Sequence, residues 1–331
     1  MFAFSKGDVY KYAITCMNGS MEMESELPAS ASIDAQATKN ETIISAGASA
    51  YVEAPAEFDP QPFMEGAFVE IKNYTAIFIL EDGRVGSGIF VNSCGFDGIL
   101  TANHVASPIM KGKRFSLCIA EHPHSLWLNP EHFEHVPIGK MRDRSDEQHL
   151  GPDLSFIIIR DSNLLEILRS LKSFCFLDSQ KLAFFAAPPE RLLWAVAGSP
   201  FESKTLVNRD CDPDGPLTKL SNFVGWGQFK ARSVRDAFDY IDLEIPAGEG
   251  GYPLNYQGVS GGGIWLIPLE IDSNEDAQTV GYAKPILGGV AFFQTDPPIG
   301  GQRTIVGHGW ESIYSTVKET LKSKRNTEST S

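Results

Sequence analysis

The feature that most constrains this chain is a succession of short apolar runs broken by Gly, Asp and Asn. Ala76-Ile77-Phe78-Ile79-Leu80, Gly88-Ile89-Phe90-Val91 and Gly98-Ile99-Leu100-Thr101 follow one another within 26 residues. Runs of this length, rich in β-branched and aromatic residues and bounded by turn formers, read as strands of a meander. Residues 115–118 and 154–159 add two more, enough for one small barrel. A second strand-rich half follows, at 193–196, 223–226, 240–243, 263–267 and 289–293. With 30 Gly and 20 Pro spread among these runs, an all-β chain of two lobes is expected rather than a helical bundle.

Two helices interrupt this pattern. Leu164, Leu165, Ile167, Leu168 and Leu171 fall at helical spacing and predict a short connector within 163–180. Trp310, Ile313, Tyr314, Val317 and Leu321 predict a C-terminal helix over 310–323, with Lys318, Lys322, Lys324 and Arg325 where the helix dipole favours cations. Residues 324–331 read as a tail.

Residues 1–62 differ in kind. They carry nine acidic residues against Lys6, Lys11 and Lys39, and their Ala- and Ser-rich stretches offer little to bury. A segment of that composition is expected as a poorly ordered extension, with the folded core starting near residue 62.

The net charge of −14 in 331 residues argues against nucleic acid or an anionic membrane as a partner. The five cysteines are odd in number, widely spaced and free of CxxC pairs, so no disulfide framework is indicated. Lys6 and Lys11 break the apolar N-terminus before any signal-peptide core can form, and no run approaches a membrane span. Cytoplasmic residence is the resulting expectation.

Three local sequences carry chemistry. Gly98-Ile99-Leu100-Thr101-Ala102-Asn103-His104 places a histidine at the end of an apolar strand. Gly151-Pro152-Asp153-Leu154 places a carboxylate at the start of one. Gly258-Val259-Ser260-Gly261-Gly262 puts a serine in a turn whose glycines permit positive φ and let backbone amides converge on one point. Acyl transfer by a serine needs these parts: an imidazole as general base, a carboxylate fixing its tautomer, and N–H donors for the developing oxyanion.

At these residues the chain resembles the trypsin/chymotrypsin-like serine peptidases. Leu100-Thr101-Ala102-Asn103-His104 is similar to their Leu-Thr-Ala-Ala-His, Asp153 and its strand to their Asp-Ile-Ala-Leu, and the Ser260 turn to their Gly-Asp-Ser-Gly-Gly. The order His, Asp, Ser also matches, with separations of 49 and 107 residues. The resemblance covers about residues 66–323. It implies two packed six-stranded antiparallel β-barrels, over 63–162 and 181–309. It also implies a catalytic triad of His104, Asp153 and Ser260, an oxyanion hole of the Gly258 and Ser260 amides, a polypeptide substrate and no cofactor.

The departures are informative. Val259 stands where digestive members carry the aspartate that pairs with a new N-terminus, so zymogen cleavage is not expected and control falls to conformation or a regulatory protein partner. Val105 stands where secreted members carry a disulfide cysteine, so the resemblance is nearer to bacterial members. By analogy Leu254 is the base of the specificity pocket and Phe292, Phe293 and Gln294 its wall, which implies small or apolar residues at the substrate's P1 position. A protease-fold binding protein with an occluded cleft is the alternative reading.

Other signals have plainer readings. His122, His124, His132 and His135 lack a HExxH arrangement and read as a solvated loop; no metal site is expected. Asp210-Cys211-Asp212-Pro213-Asp214-Gly215 resembles half a calcium loop, but Ser221 at its twelfth position cannot supply the bidentate carboxylate. Trp194, Trp226 and Trp265 read as core, and Gly198-Ser199-Pro200 as a structural turn.

Overall fold

The structure, a computed structural model, describes residues 42–45, 61–118, 125–138, 152–186, 192–203, 205–207, 217–274, 277–295 and 301–330. A strand β1 (Thr42–Ser45) precedes helix α1 (Gln61–Tyr74). The first lobe follows: β2 (Thr75–Leu80), β3 (Val85–Ser93), β4 (Phe96–Thr101), α2 (Asn103–Lys111), β5 (Phe115–Cys118), β6 (Ser125–Leu128), β7 (Phe133–Ile138) and β8 (Leu154–Ile159). Helix α3 (Ser162–Leu171), β9 (Cys175–Phe176) and α4 (Leu177–Ala186) cross to the second lobe. That lobe comprises β10 (Leu192–Gly198), β11 (Thr205–Val207), β12 (Leu217–Lys219), β13 (Phe223–Arg235), β14 (Phe238–Pro246), β15 (Gly263–Asn274), β16 (Ala277–Tyr282), β17 (Ile286–Gln294) and β18 (Gln302–His308). A π-helical segment, Ser312–Val317, runs into α5 (Lys318–Thr330).

The second lobe closes as expected. Its order is β13-β10-β15-β17-β18-β14, and β14 pairs back with β13, all antiparallel. The first lobe departs from the expected closed barrel: its order is β6-β5-β2-β3-β4-β8-β7, and no ladder joins its two ends among the described residues. Side chains bridge part of that gap. Phe115 on β5 meets Phe133 on β7 at 5.3 Å between ring centroids, with Phe78 edge-on behind Phe115. The fold is therefore mostly β, a closed six-stranded barrel beside a half-barrel sheet.

The chain's ends carry three features beyond those that the sequence predicts. The boundary near residue 62 falls inside α1, which lies against the second lobe: Phe68 meets Trp226 and Tyr74 meets Trp265, with ring centroids 5.0 and 5.4 Å apart. Within the N-terminal extension, β1 pairs antiparallel with residues 231–234 of β13. The tail at 324–330 is helical, because α5 stays docked on the first lobe; Lys324 and Arg160 both pair with Glu134, and Arg160 also pairs with Glu328. Trp265 is fully buried, while Trp194 and Trp226 are half-buried against the core. No helix of the described residues is long and apolar enough to cross a membrane.

Candidate active site

Strand β4 ends at Thr101, and Ala102 keeps extended backbone (φ −70°, ψ 142°) before α2 begins. His104 thus sits in the first turn of a helix, one step beyond the strand end that the sequence predicted. Pro108, four residues on, cannot donate to the His104 carbonyl, which is why this helix reads poorly in the sequence. The Asp153 carboxylate takes both donors of one residue: the His104 amide reaches Oδ1 at 2.8 Å and Nδ1 reaches Oδ2 at 2.5 Å. With Nδ1 donating, Nε2 carries the lone pair. Burial pushes the Asp153 carboxyl up, but the hydrogen bonds and charge of His104 outweigh it and hold the group below its ordinary range.

The serine comes from the other lobe. Gly258 (φ +98°) and Gly261 (φ +87°) bracket Val259 and Ser260 in backbone that favours glycine. Val259, Gly261 and Gly262 donate their amides to Tyr256, Ala291 and Val259, whereas the amides of Gly258 and Ser260 meet no acceptor among the described residues. The Ser260 hydroxyl donates to the Phe292 carbonyl at 3.3 Å rather than to His104.

One residue that the sequence reading missed joins the two halves. Ser87 on β3 is fully buried; its amide donates to the Ser260 carbonyl (2.9 Å), its Oγ donates to the Gly258 carbonyl (2.7 Å) and accepts from the Ser199 amide (2.9 Å). Its own carbonyl accepts from Thr101 Oγ1 at 2.6 Å, three residues before His104. A second missed residue, His308 at the end of β18, accepts the Asp153 amide on Nε2 at 3.0 Å. Both lie between glycines, Gly86-Ser87-Gly88 and Gly307-His308-Gly309, a local sign of close backbone approach.

Beside Ser260 lies a cavity of about 220 Å³ lined by Tyr256, Gln257, Val259, Ala291, the run 292–294 and Ile305. Phe292, Phe293 and Gln294 are on its wall. Leu254 is not among its lining residues; it is 55% exposed, and its amide and carbonyl are tied to Glu202 and Arg303. Ala291 and Ile305, two apolar side chains, complete the lining instead, and none of the lining residues is charged.

The remaining candidates do not join this site. His132 lies 2.9 Å from Asp161 and His135 bonds Ser155 at 3.0 Å, while His122, His124 and the 210–215 loop lie outside the described residues. Among the described residues no group of three or more potential ligands could hold a metal ion, and Cys94, Cys118 and Cys175 are free thiols.

No protein-family model and no curated protein sequence matches the chain. Solved structures similar to it include the Grass clip serine protease of the Drosophila Toll pathway, at 13% identity and a TM-score of 0.43 over 76% of this chain and 69% of that one. The protease Anisep of Arthrobacter nicotinovorans is similar at 17% identity and a TM-score of 0.38, over 74% and 93%. The thermostable serine protease AL20, from an extremophilic microorganism, is similar at 14% identity and 0.35, over 74% and 94%.

Proposed function

We propose that this chain is a serine endopeptidase that hydrolyses polypeptides through an acyl-enzyme on Ser260. The observation that carries the reading is the doubly bonded His104–Asp153 pair, set beside a serine turn that Ser87 fastens to the strand pair leading into His104. Ser260 Oγ attacks the peptide carbonyl while its proton passes to His104 Nε2. The tetrahedral oxyanion takes the two unengaged amides of Gly258 and Ser260, a kind of contact worth about 3–4 kcal/mol of barrier where one donor has been removed elsewhere. His104 then returns the proton to the leaving amine, and water repeats the sequence on the ester. Asp153 stays ionised throughout, in keeping with its lowered pKa.

Two finer features belong to the same reading. Ser260 has to turn from the Phe292 carbonyl before His104 can take its proton, which suits control by conformation or by a partner protein. Val259, only 2% exposed, offers no anion to a new N-terminus, which argues against activation by cleavage. The uncharged cavity favours apolar P1 residues.

A fluorophosphonate probe tests the reading. Labelling should be confined to Ser260 and vanish in Ser260→Ala, and His104→Ala should reduce it to background. A panel of internally quenched peptides should be cut after apolar residues. Absence of both labelling and cleavage in a folded chain would favour a protease-fold binding protein, and a profile dominated by Arg or Lys would overturn the P1 assignment.

A further inference from the structure

One imidazole beside the site has no part in that chemistry. His308 is fully buried at the end of β18, 155 residues from the Asp153 amide that it accepts at 3.0 Å. Asp153 lies where the chain enters β8 in the first lobe, so this bond pins the residue from the second lobe. The other face of the ring matters as well. It stacks on Phe292, centroid to centroid 4.7 Å at 28°, and the Phe292 carbonyl is the group that receives the Ser260 hydroxyl. Tyr240 and Phe238 close around it at 5.1 and 5.6 Å.

The arrangement is a costly way to fill space. Because Nε2 accepts, the ring proton of the neutral form sits on Nδ1, which is buried without a partner among the described residues. A leucine would avoid that orphan donor. What it could not supply is an acceptor for the Asp153 amide.

Resting on the acyl-transfer reading above, we propose that His308 is a positioning residue: its Nε2 fixes the Asp153 backbone, hence the carboxylate that aligns His104, while its ring face fixes the Phe292 wall beside Ser260. It acts only as a neutral Nδ1–H imidazole, since a proton on Nε2 would set N–H against N–H. Burial holds its pKa down to about 4; of the charges facing it, Asp153 and Asp239 on β14 favour the cation and Arg235 on β13 opposes it.

The test uses the full chain with ring-¹⁵N histidine. Long-range ¹H–¹⁵N spectra should show, in addition to His104, a histidine held as the Nδ1–H tautomer from pH 8 to 5 whose signals are missing from both His308→Leu and His308→Gln. Fluorophosphonate labelling at pH 7.5 should slow about tenfold in His308→Leu, the loss of one hydrogen bond of ordinary net worth. His308→Gln, whose Oε1 can accept the same amide, should recover most of that rate and keep the low-field His104 Nδ1–H resonance that the leucine variant loses. An Nε2–H tautomer, or a folded leucine variant that labels at the wild-type rate, overturns the proposal. Should the leucine variant not fold, a folded glutamine variant lacking the low-field resonance overturns it equally. A wild-type chain that refuses the probe defeats the peptidase reading alone, because the tautomer and the resonance are read without it.

Discussion

Ser87 has its amide, its carbonyl and both capacities of its hydroxyl engaged; two of the four bonds reach the serine turn and a third reaches Thr101, at the end of the strand leading to His104. Ser87→Ala orphans the buried Gly258 carbonyl and Ser199 amide, and each such group costs about 1–3 kcal/mol. We expect a loss of about 2 kcal/mol or more in urea unfolding, together with slower fluorophosphonate labelling, because Gly258 carries one of the two amides proposed to hold the oxyanion. Ser93→Ala is the control on the same strand; Ser93 is buried, but among the described residues its hydroxyl meets only Cys94 Sγ at 3.8 Å, and its loss should stay below about 1 kcal/mol without touching labelling. Gly261 marks the same junction from the other side: a Cβ there would come within 2.0 Å of the Ser87 carbonyl. Asp153→Asn tests the other limb. An amide cannot accept from both His104 donors through two oxygens, so one bond fails and the tautomer is no longer fixed. By analogy with triads in general, kcat should fall about four orders of magnitude with little change in KM, measured on the best quenched peptide.

At the scale of elements, the C-terminal helix clamps onto the first lobe by two different forces. Leu321 is fully buried, whereas the ion pairs of Arg160, Lys324, Glu134 and Glu328 have side chains about a quarter to two-fifths exposed. Screening limits such exposed pairs to about 1 kcal/mol together. Deleting residues 324–330 should therefore lower the melting temperature by only a few degrees, less at 1 M salt, while Leu321→Ala should cost about 2–5 kcal/mol at any salt. A salt-insensitive, large loss on deletion would refute this division. The strands were legible in the sequence because their apolar runs are local, and the His104, Asp153 and Ser260 motifs sit at strand and turn boundaries for the same reason. Helices α1 and α2 were not. Gly66 and Pro108 lie inside them, and packing against Trp226 and the bonds to Asp153 override those weak local preferences. The open edge of the first lobe and the roles of Ser87 and His308 escaped because they depend on contacts up to 171 residues apart, which no periodicity encodes.

For the molecule as a whole, these buried groups fix how stability depends on pH. His308 has an ordinary value of 6.5 and is held near 4 in the fold, so between those limits the unfolded chain binds a proton that the folded chain refuses. Stability must then fall as pH drops from about 6.5 to 4, by up to about 3 kcal/mol, since each tenfold loss of proton affinity is worth about 1.4 kcal/mol. His135, lowered by burial and by Lys111, adds in the same direction. Asp153 acts lower down: its folded value lies below 3.8, so its contribution is intact above that and is lost as pH falls through the folded value. Asp242, raised by burial, works the other way and regains stability as it protonates. A raw acid-unfolding curve mixes all four, but subtracting that of His308→Gln isolates one. The difference in urea-unfolding free energy between wild type and His308→Gln should change steadily by a few kcal/mol from pH 6.5 to 4, in the sense that the wild type loses more on acidification, and then level off. A difference that stays flat across that window would mean that the imidazole charges freely in the fold, and with it the inter-lobe contact to Asp153 would have to be given up.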